Sequence, residues 1–439
     1  MIDGIINRIN TIPEFHIFGR VHAINGLMIE AVGLQGAVAI GTKCQIVSTS
    51  GHKTLAEVVG IRGDTAILMP FADLQGVSAN CRVEVEESHN FIYPSQAWLG
   101  RVVNALGQSV DDKGPIESGT VPYPLKATPP SAHRRKMVEG KVDLGVRSVN
   151  TFATCCKGQR MGIFAGSGVG KSVLISMLTK YSDAEIKVIG LVGERGRELQ
   201  EFLHNYLGEE GLKQAVVIAA TSDESALMRR QAAYLTLTVA EYFRDQGKDV
   251  LCLIDSVTRF AMAQREIGLS AGEPPATRGY TPSVFAEMPK LLERAGPGTK
   301  GQGSITGLFT VLVEGDDHNE PVSDTVRGIL DGHIVMERKI AERGRFPAVN
   351  VLKSISRTMP GCNTDEQNAL VKKAKRILSI YEDMAEMIRL GAYRKGSDPE
   401  VDEAIKYYPK LEEFLGQLPQ ESATLEQCYA QLKEILGAK

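Results

Sequence analysis

Lys171 and Ser172 follow glycines at 166, 168 and 170 in the stretch QRMGIFAGSGVGKSVLISML, residues 159–178. Apolar Met161 to Ala165 predicts a buried strand, the glycines a turn, and Ser172 onward a helix with apolar residues at three-and-four spacing. Glycines let successive backbone N–H groups turn inward without a Cβ penalty, and the helix aims the positive end of its dipole at an arriving anion. In such a cradle the lysine reaches the β- and γ-phosphates of a nucleotide and the serine hydroxyl sits on Mg²⁺. The strict spacing G-x-x-x-x-G-K-[ST] asks for glycine where this chain has Ala165, a small residue that still leaves room for the turn. The nucleotide-contacting stretch is therefore expected to be Gly166, Ser167, Gly168, Val169, Gly170, Lys171, Ser172 and Val173.

Two acidic residues suit the same chemistry. Asp255 ends the apolar run VLCLID, which fits a carboxylate that holds Mg²⁺ through its water shell beside a phosphate loop. Glu194 stands just past IKVIGLV, in position to polarise a water for in-line attack on the γ-phosphate. Glu198 is better explained as a helix-start glutamate. Arg195 and Arg259 occupy equivalent strand-end positions, where they either neutralise phosphate charge or form structural ion pairs.

These residues need a sheet to hold them. IKVIGLV (186–192), AVVIAA (215–220) and VLCLI (250–254) are short apolar runs followed by polar or helical sequence. Such runs are buried on both faces, which predicts an α/β domain with a mainly parallel sheet whose site lies at the carboxyl ends of the strands. Ahead of it, Gly19–Leu34 reads as a hairpin around Asn25-Gly26, the type I′ dipeptide. Further strands are expected at 37–40, 43–48, 55–61, 65–70 and 81–86, giving a small β-barrel or sandwich. Trp98–Ile116 and the proline-rich Val121–Pro130 read as a passage between domains.

Toward the C-terminus the pattern is helical. Thr364 with Gln367 forms a capping box before 370–390, Asp398 caps a helix opened by Pro399, and Thr424 with Gln427 starts a last one. At the other end, Ile5, Ile6 and Ile9 share a helical face, either docking to a partner protein or packing as a terminus. The expected divisions are 1–18, a docking segment; 19–94, the barrel; 95–358, the phosphate-loop domain; and 359–439, a helical domain.

The 439 residues carry 50 basic and 53 acidic side chains, a net charge of −3, which argues against a global nucleic-acid clamp. The barrel also lacks the interleaved aromatic and basic residues of single-strand binders. Seven cysteines, an odd number with no C-x-x-C pair, are expected to be reduced thiols in a cytoplasmic protein. No apolar run approaches the roughly 18 residues of a membrane span, so any membrane association is expected to come through partners.

The segments GRVVNALGQSVDDKGPI, AGSGVGKS, GERGRE, LTVAEYFRDQGKDVLCLIDSVTRFA, GSITGLFTV and RGRFPAVNVLKSISR resemble the catalytic subunits of rotary ATPases and their relatives in protein export. Within that superfamily, DLGVRSVNTFATCCKGQRMGIFAGSGVGKS, GDDHNEPVSDTVRGILDGHIVMER and GAYRKGSDPEVDEAI resemble the flagellum-specific export ATPases. The resemblance runs from the barrel to the C-terminus and implies a RecA-like core that hydrolyses ATP with Mg²⁺. Alanine at the first loop position is tolerated in that family.

Residue by residue, the resemblance assigns Lys171 and Ser172 to phosphate and Mg²⁺, Glu194 to the attacking water, Asp255 to the metal shell, and Arg195 and Arg259 to the neighbourhood of the γ-phosphate. Phe346 falls where an aromatic stacks on adenine; ATP synthase catalytic subunits carry tyrosine there. Arg357 matches the arginine that reaches into a neighbouring subunit's site. The implied assembly is a homohexameric ring at the inner face of the cytoplasmic membrane. It would be served by a regulator or stator protein at the N-terminal segment, a central stalk, an export gate, chaperones and export substrates. Three alternatives are an injectisome ATPase, a non-catalytic ring subunit and a hexameric RNA translocase.

Overall fold

A computed structural model describes residues 17–437, apart from 87–89, 314, 316 and 318–319. The expected N-terminal docking helix lies outside the described residues.

Six antiparallel strands close into a barrel: β1 (Phe18–Asn25), β2 (Met28–Val32), β3 (Lys43–Val47), β4 (Lys53–Arg62), β5 (Thr65–Pro70) and β6 (Arg82–Val85). Their order is β1-β2-β5-β4-β3-β6, with β6 returning to β1 through Phe18↔Glu84 and its neighbours. Alternate residues such as Val21, Ile29, Ile46, Val58, Leu68 and Val83 point inward and form a separate core. Two expectations are corrected here. Asn25 pairs with Met28, so the hairpin turns on Gly26-Leu27, and positive φ falls at Gly26 but not Leu27, the pattern of a type II′ turn. Residues 37–40 are turn and irregular backbone in place of a strand.

The second unit is a twisted sheet of β7 (Arg101–Asn104), β8 (Arg160–Ala165), β9 (Ile186–Glu194), β10 (Ala215–Thr221), β11 (Val250–Asp255), β12 (Ser304–Leu312), β13 (Gly332–Met336) and β14 (Val349–Ser356). The order is β14-β13-β8-β12-β11-β9-β10-β7; all neighbours are parallel except β13 and β14. Residues Arg101–Asn104, expected to lie in a connector, extend the sheet beside Val216–Ala219. Strand residues divide between two cores. Phe164, Val188, Ile254 and Phe309 face helices α2 (Ala226–Asp245) and α3 (Val257–Ser270), whereas Ile163, Ile189, Leu253 and Leu308 face α1 (Lys171–Tyr181) and the C-terminal helices. Burial on both faces explains why these strands read as continuous apolar runs.

The C-terminal helices are α4 (Asp365–Arg389), α5 (Pro399–Leu415) and α6 (Leu425–Leu436). Both capping boxes form, on Thr364/Gln367 and Thr424/Gln427, and the Asp398 side chain accepts from the Glu400 N–H. Arg147 ties these helices to the sheet domain, donating through Nε to the Phe414 carbonyl at 2.9 Å. No helix among the described residues is long and apolar enough to cross a membrane.

Candidate active site

The phosphate loop leaves the carboxyl end of β8 in the middle of the sheet. Val169 is buried and anchors the loop, while Ser167 and Gly168 are exposed at its tip. Gly168 and Gly170 take φ of 76° and 86°, conformations that an L side chain adopts only under strain. Gly170 caps α1, so the dipole of an 11-residue helix points at the loop.

Three side chains converge beside it. The Lys171 ammonium contacts the Asp255 carboxylate and stands 3.8 Å from Glu194 Oε1. Asp255 ends β11, buried, and its Oδ1 accepts the Thr310 hydroxyl at 2.7 Å. Glu194 ends the neighbouring β9. Burial, then the facing Asp255 carboxylate, pushes the Glu194 carboxyl up to about 8, with Lys171 pulling the other way. Ser172, Glu194 and Asp255 line one small cleft together with Glu198, which lies in the first turn of the helix Gly196–Glu201 as expected.

The two strand-end arginines part company. Arg259 lies against the turn before Glu194, close enough that a Cβ added to Gly193 would meet its Cβ at 2.9 Å. Its Nε is buried without a hydrogen-bond partner. Arg195 has a side chain 82% exposed and pairs with Glu198 at 3.9 Å, outside the lysine–carboxylate cluster.

Phe346 borders a cleft of about 780 Å³ between α1 and the C-terminal helices. Gly170, Val173 and Met177 form one wall; Glu413, Gly416 and Leu418 are on the other. The Phe346 ring lies so near the loop that a Cβ on Gly170 would meet it at 3.3 Å. The carbonyl of Phe346 accepts the Gln417 N–H at 2.8 Å, fixing the aromatic against the C-terminal domain. This is a slot with one flat apolar wall next to the phosphate cradle, the shape a nucleotide base requires.

Arg357 lies elsewhere. Its N–H donates to the Asp331 carbonyl at 2.9 Å, and Asp331 in turn pairs with Arg160 at the beginning of β8. Arg357 is therefore exposed at the amino end of the parallel strands, whereas the phosphate loop is at the carboxyl end.

The residues present fit a magnesium nucleotide. Ser172 and Asp255 supply hard oxygen donors beside the loop. Glu194 Oε1 and Arg259 Nε are buried polar atoms with no hydrogen-bond partner, an acceptor and a donor suited to a water and a phosphate oxygen respectively. Sequence reasoning missed Thr310, which orients Asp255, and the 413–418 wall of the base cleft. Neither carries a local motif; both are brought to the site by the topology.

Comparison with known proteins agrees with this geometry. The ATP synthase alpha/beta family, nucleotide-binding domain, matches residues 145–356, and the beta-barrel domain of the same family matches 21–85. The T3SS EscN ATPase C-terminal domain matches 363–434. The chain is similar to the flagellum-specific ATP synthase of Caulobacter vibrioides, at 57% identity with 99% of each chain covered. It is also similar to the type 3 secretion system ATPase of Xanthomonas euvesicatoria, at 44% identity over 91% of this chain and 90% of that one. Among solved structures, the assembled ATPase EscN from the type III secretion system of enteropathogenic E. coli matches with a TM-score of 0.90 and 39% identity, covering 95% of this chain and 100% of EscN. EscN in complex with its central stalk EscO matches with a TM-score of 0.87. On this similarity, spanning barrel, nucleotide-binding domain and C-terminal helices, the chain belongs to the flagellum-specific ATP synthases of the ATP synthase alpha/beta family and is an ATPase.

Proposed function

We propose that this ATPase drives a flagellar type III protein-export apparatus, working as a homohexameric ring at the inner face of the cytoplasmic membrane. The observation that carries the reading is the convergence of Lys171, Glu194 and Asp255 on the phosphate loop of a chain 57% identical to a flagellum-specific ATP synthase. In this reading, Lys171 leaves Asp255 for the β- and γ-phosphates of ATP. Ser172 and Asp255 hold Mg²⁺, which when bound neutralises charge that develops on the phosphates. Glu194 accepts a proton from the attacking water, and Arg259, with its free Nε, stabilises the transferring group. Arg195 contributes by swinging in from solvent, and Phe346 stacks on the adenine.

The assembly reading draws on EscN, solved both assembled and with its central stalk. In this reading the C-terminal helices meet chaperones, export substrates and the stalk, the ring works beneath an export gate, and a regulator or stator protein docks on the N-terminal segment. Divisions near residues 18, 94 and 358 separate the docking segment, barrel, catalytic domain and helical domain. An injectisome ATPase is the second reading, favoured by the similarity to the Xanthomonas protein.

The test is secretion in the source cell carrying Lys171→Ala. The change removes the phosphate contact and leaves the sheet unaltered. Loss of hook and filament proteins from the medium, with the variant still abundant in the cell, is the expected result. Undiminished flagellar secretion, with ATP turnover abolished in the purified variant, would move the destination to an injectisome.

A further inference from the structure

All seven cysteines are free thiols, six buried and Cys362 half-buried. Two of them meet away from the nucleotide cleft, where the C-terminal helices join the sheet domain. Cys156 sits in the turn ahead of β8, and its N–H donates to the Gln159 carboxamide oxygen at 2.9 Å. That oxygen also accepts the Thr358 hydroxyl at 3.1 Å, and the Thr358 carbonyl accepts the Cys362 N–H at 2.9 Å. Both chain segments are thus pinned to one side-chain amide, which brings Cys156 and Cys362 to the same junction. Lys141 bridges to Cys156 through its backbone and donates through Nζ to Gln367 at 2.6 Å, which keeps its ammonium beside the pair.

The two sulfurs are unequal. Interaction with Cys156, helped by the Thr358 hydroxyl and the Lys141 charge, holds the Cys362 thiol below the usual thiol range against its burial. The same interaction and burial push the Cys156 thiol up. The accessible sulfur is thus the nucleophile and the buried one its resolving partner.

We propose that Cys362 and Cys156 form a peroxide-reactive pair whose disulfide straps the start of the C-terminal helices to the strand that leads into the phosphate loop. The Cys362 thiolate attacks one oxygen of hydrogen peroxide, the O–O bond breaks, and a sulfenic acid forms with release of hydroxide. That hydroxide takes the Cys156 proton, and the Cys156 sulfur attacks the Cys362 sulfur and expels the second hydroxide, which takes up the proton first lost by Cys362. Two thiols and one peroxide give one disulfide and two waters; each sulfur loses one electron and the peroxide gains two. The strap matters because the base cleft is walled on one side by α1 and on the other by the C-terminal domain.

The experiment treats the full chain with hydrogen peroxide, blocks residual thiols with N-ethylmaleimide under denaturing conditions, and maps peptides without reductant. Expected is a peptide pair joining Cys156 to Cys362, with ATP turnover falling in proportion to the joined fraction and returning with dithiothreitol. In a Cys156→Ala chain the reaction stops at a Cys362 sulfenic acid that dimedone captures, and in a Cys362→Ser chain Cys156 stays reduced. Cys362 recovered fully alkylated, a Cys362 sulfinic acid with Cys156 unjoined, or a joined chain with undiminished turnover would each overturn the proposal.

Discussion

A carboxylate that takes a proton from water must be ionised when the substrate arrives, and in the role proposed for Glu194 its surroundings work against that requirement. Burial and the Asp255 carboxylate push it up to about 8, so its basic form in the free enzyme fills in only as pH rises toward that value. The dependence of kcat/KM reports ionisations of the free enzyme. With ATP as substrate it should therefore rise with pH and level off above about 8. Glu194→Gln keeps the shape but cannot accept the proton: turnover should fall by ~10² to 10⁴ and the rising limb should vanish, while binding of a fluorescent ATP analogue persists. A rising limb that is the same in parent and variant would assign the ionisation to another group. Thr310 belongs to the same argument, because its hydroxyl fixes the Asp255 oxygen that Lys171 also contacts.

At the scale of elements, the barrel is fastened to the nucleotide-binding domain by a buried ion pair. Arg230 on α2 donates from Nη2 to both Glu57 oxygens on β4 at 2.7 Å, with each side chain only 7% exposed. Removing one partner strands the other charge in the interface, so Arg230→Ala should destabilise the protein by ~3–5 kcal/mol in thermal or urea denaturation. The double change Arg230→Met with Glu57→Met should recover most of that loss; if it does not, the pair is contributing more than mutual neutralisation. Elements also show how far sequence reaches. The capping boxes at Thr364 and Thr424 were legible because a three-residue spacing holds the whole interaction. The hairpin slipped by one residue because glycine tolerates positive φ in either turn type, and the register is chosen by the Asn25↔Met28 pairing. Strand β7 was not legible, because four residues read as a strand only beside Val216–Ala219, more than a hundred positions later in the chain. At the site, Lys171 announced itself by the glycine-rich turn before it, and Glu194 and Asp255 by ending apolar runs, whereas the 413–418 wall of the base cleft has no such signature.

At the scale of the whole molecule, we propose that the single chain is incomplete as a catalyst and that Arg357 completes the site of a neighbouring copy. It stands level with Arg160, the first residue of β8, while the phosphate loop follows Ala165, the last. Five steps of strand at ~3.3 Å each separate them by about 17 Å, beyond the reach of an arginine side chain from the far end of its own sheet. If Arg357 acts on a phosphate loop, that loop belongs to another copy. Specific activity should accordingly rise with protein concentration until the oligomer saturates. Arg357→Ala should lower turnover by ~10³ to 10⁵ with nucleotide binding intact. The decisive arrangement mixes two chains that are each inactive. A Lys171→Ala chain keeps its arginine and an Arg357→Ala chain keeps its loop, so at interfaces where the first faces the second one complete site is rebuilt. Turnover should therefore reappear on mixing and scale with the product of the two fractions. Mixed oligomers, shown by cross-linking to have formed, that remain inactive would mean that Arg357 does not act across the boundary, and the ring would then be needed for transport alone.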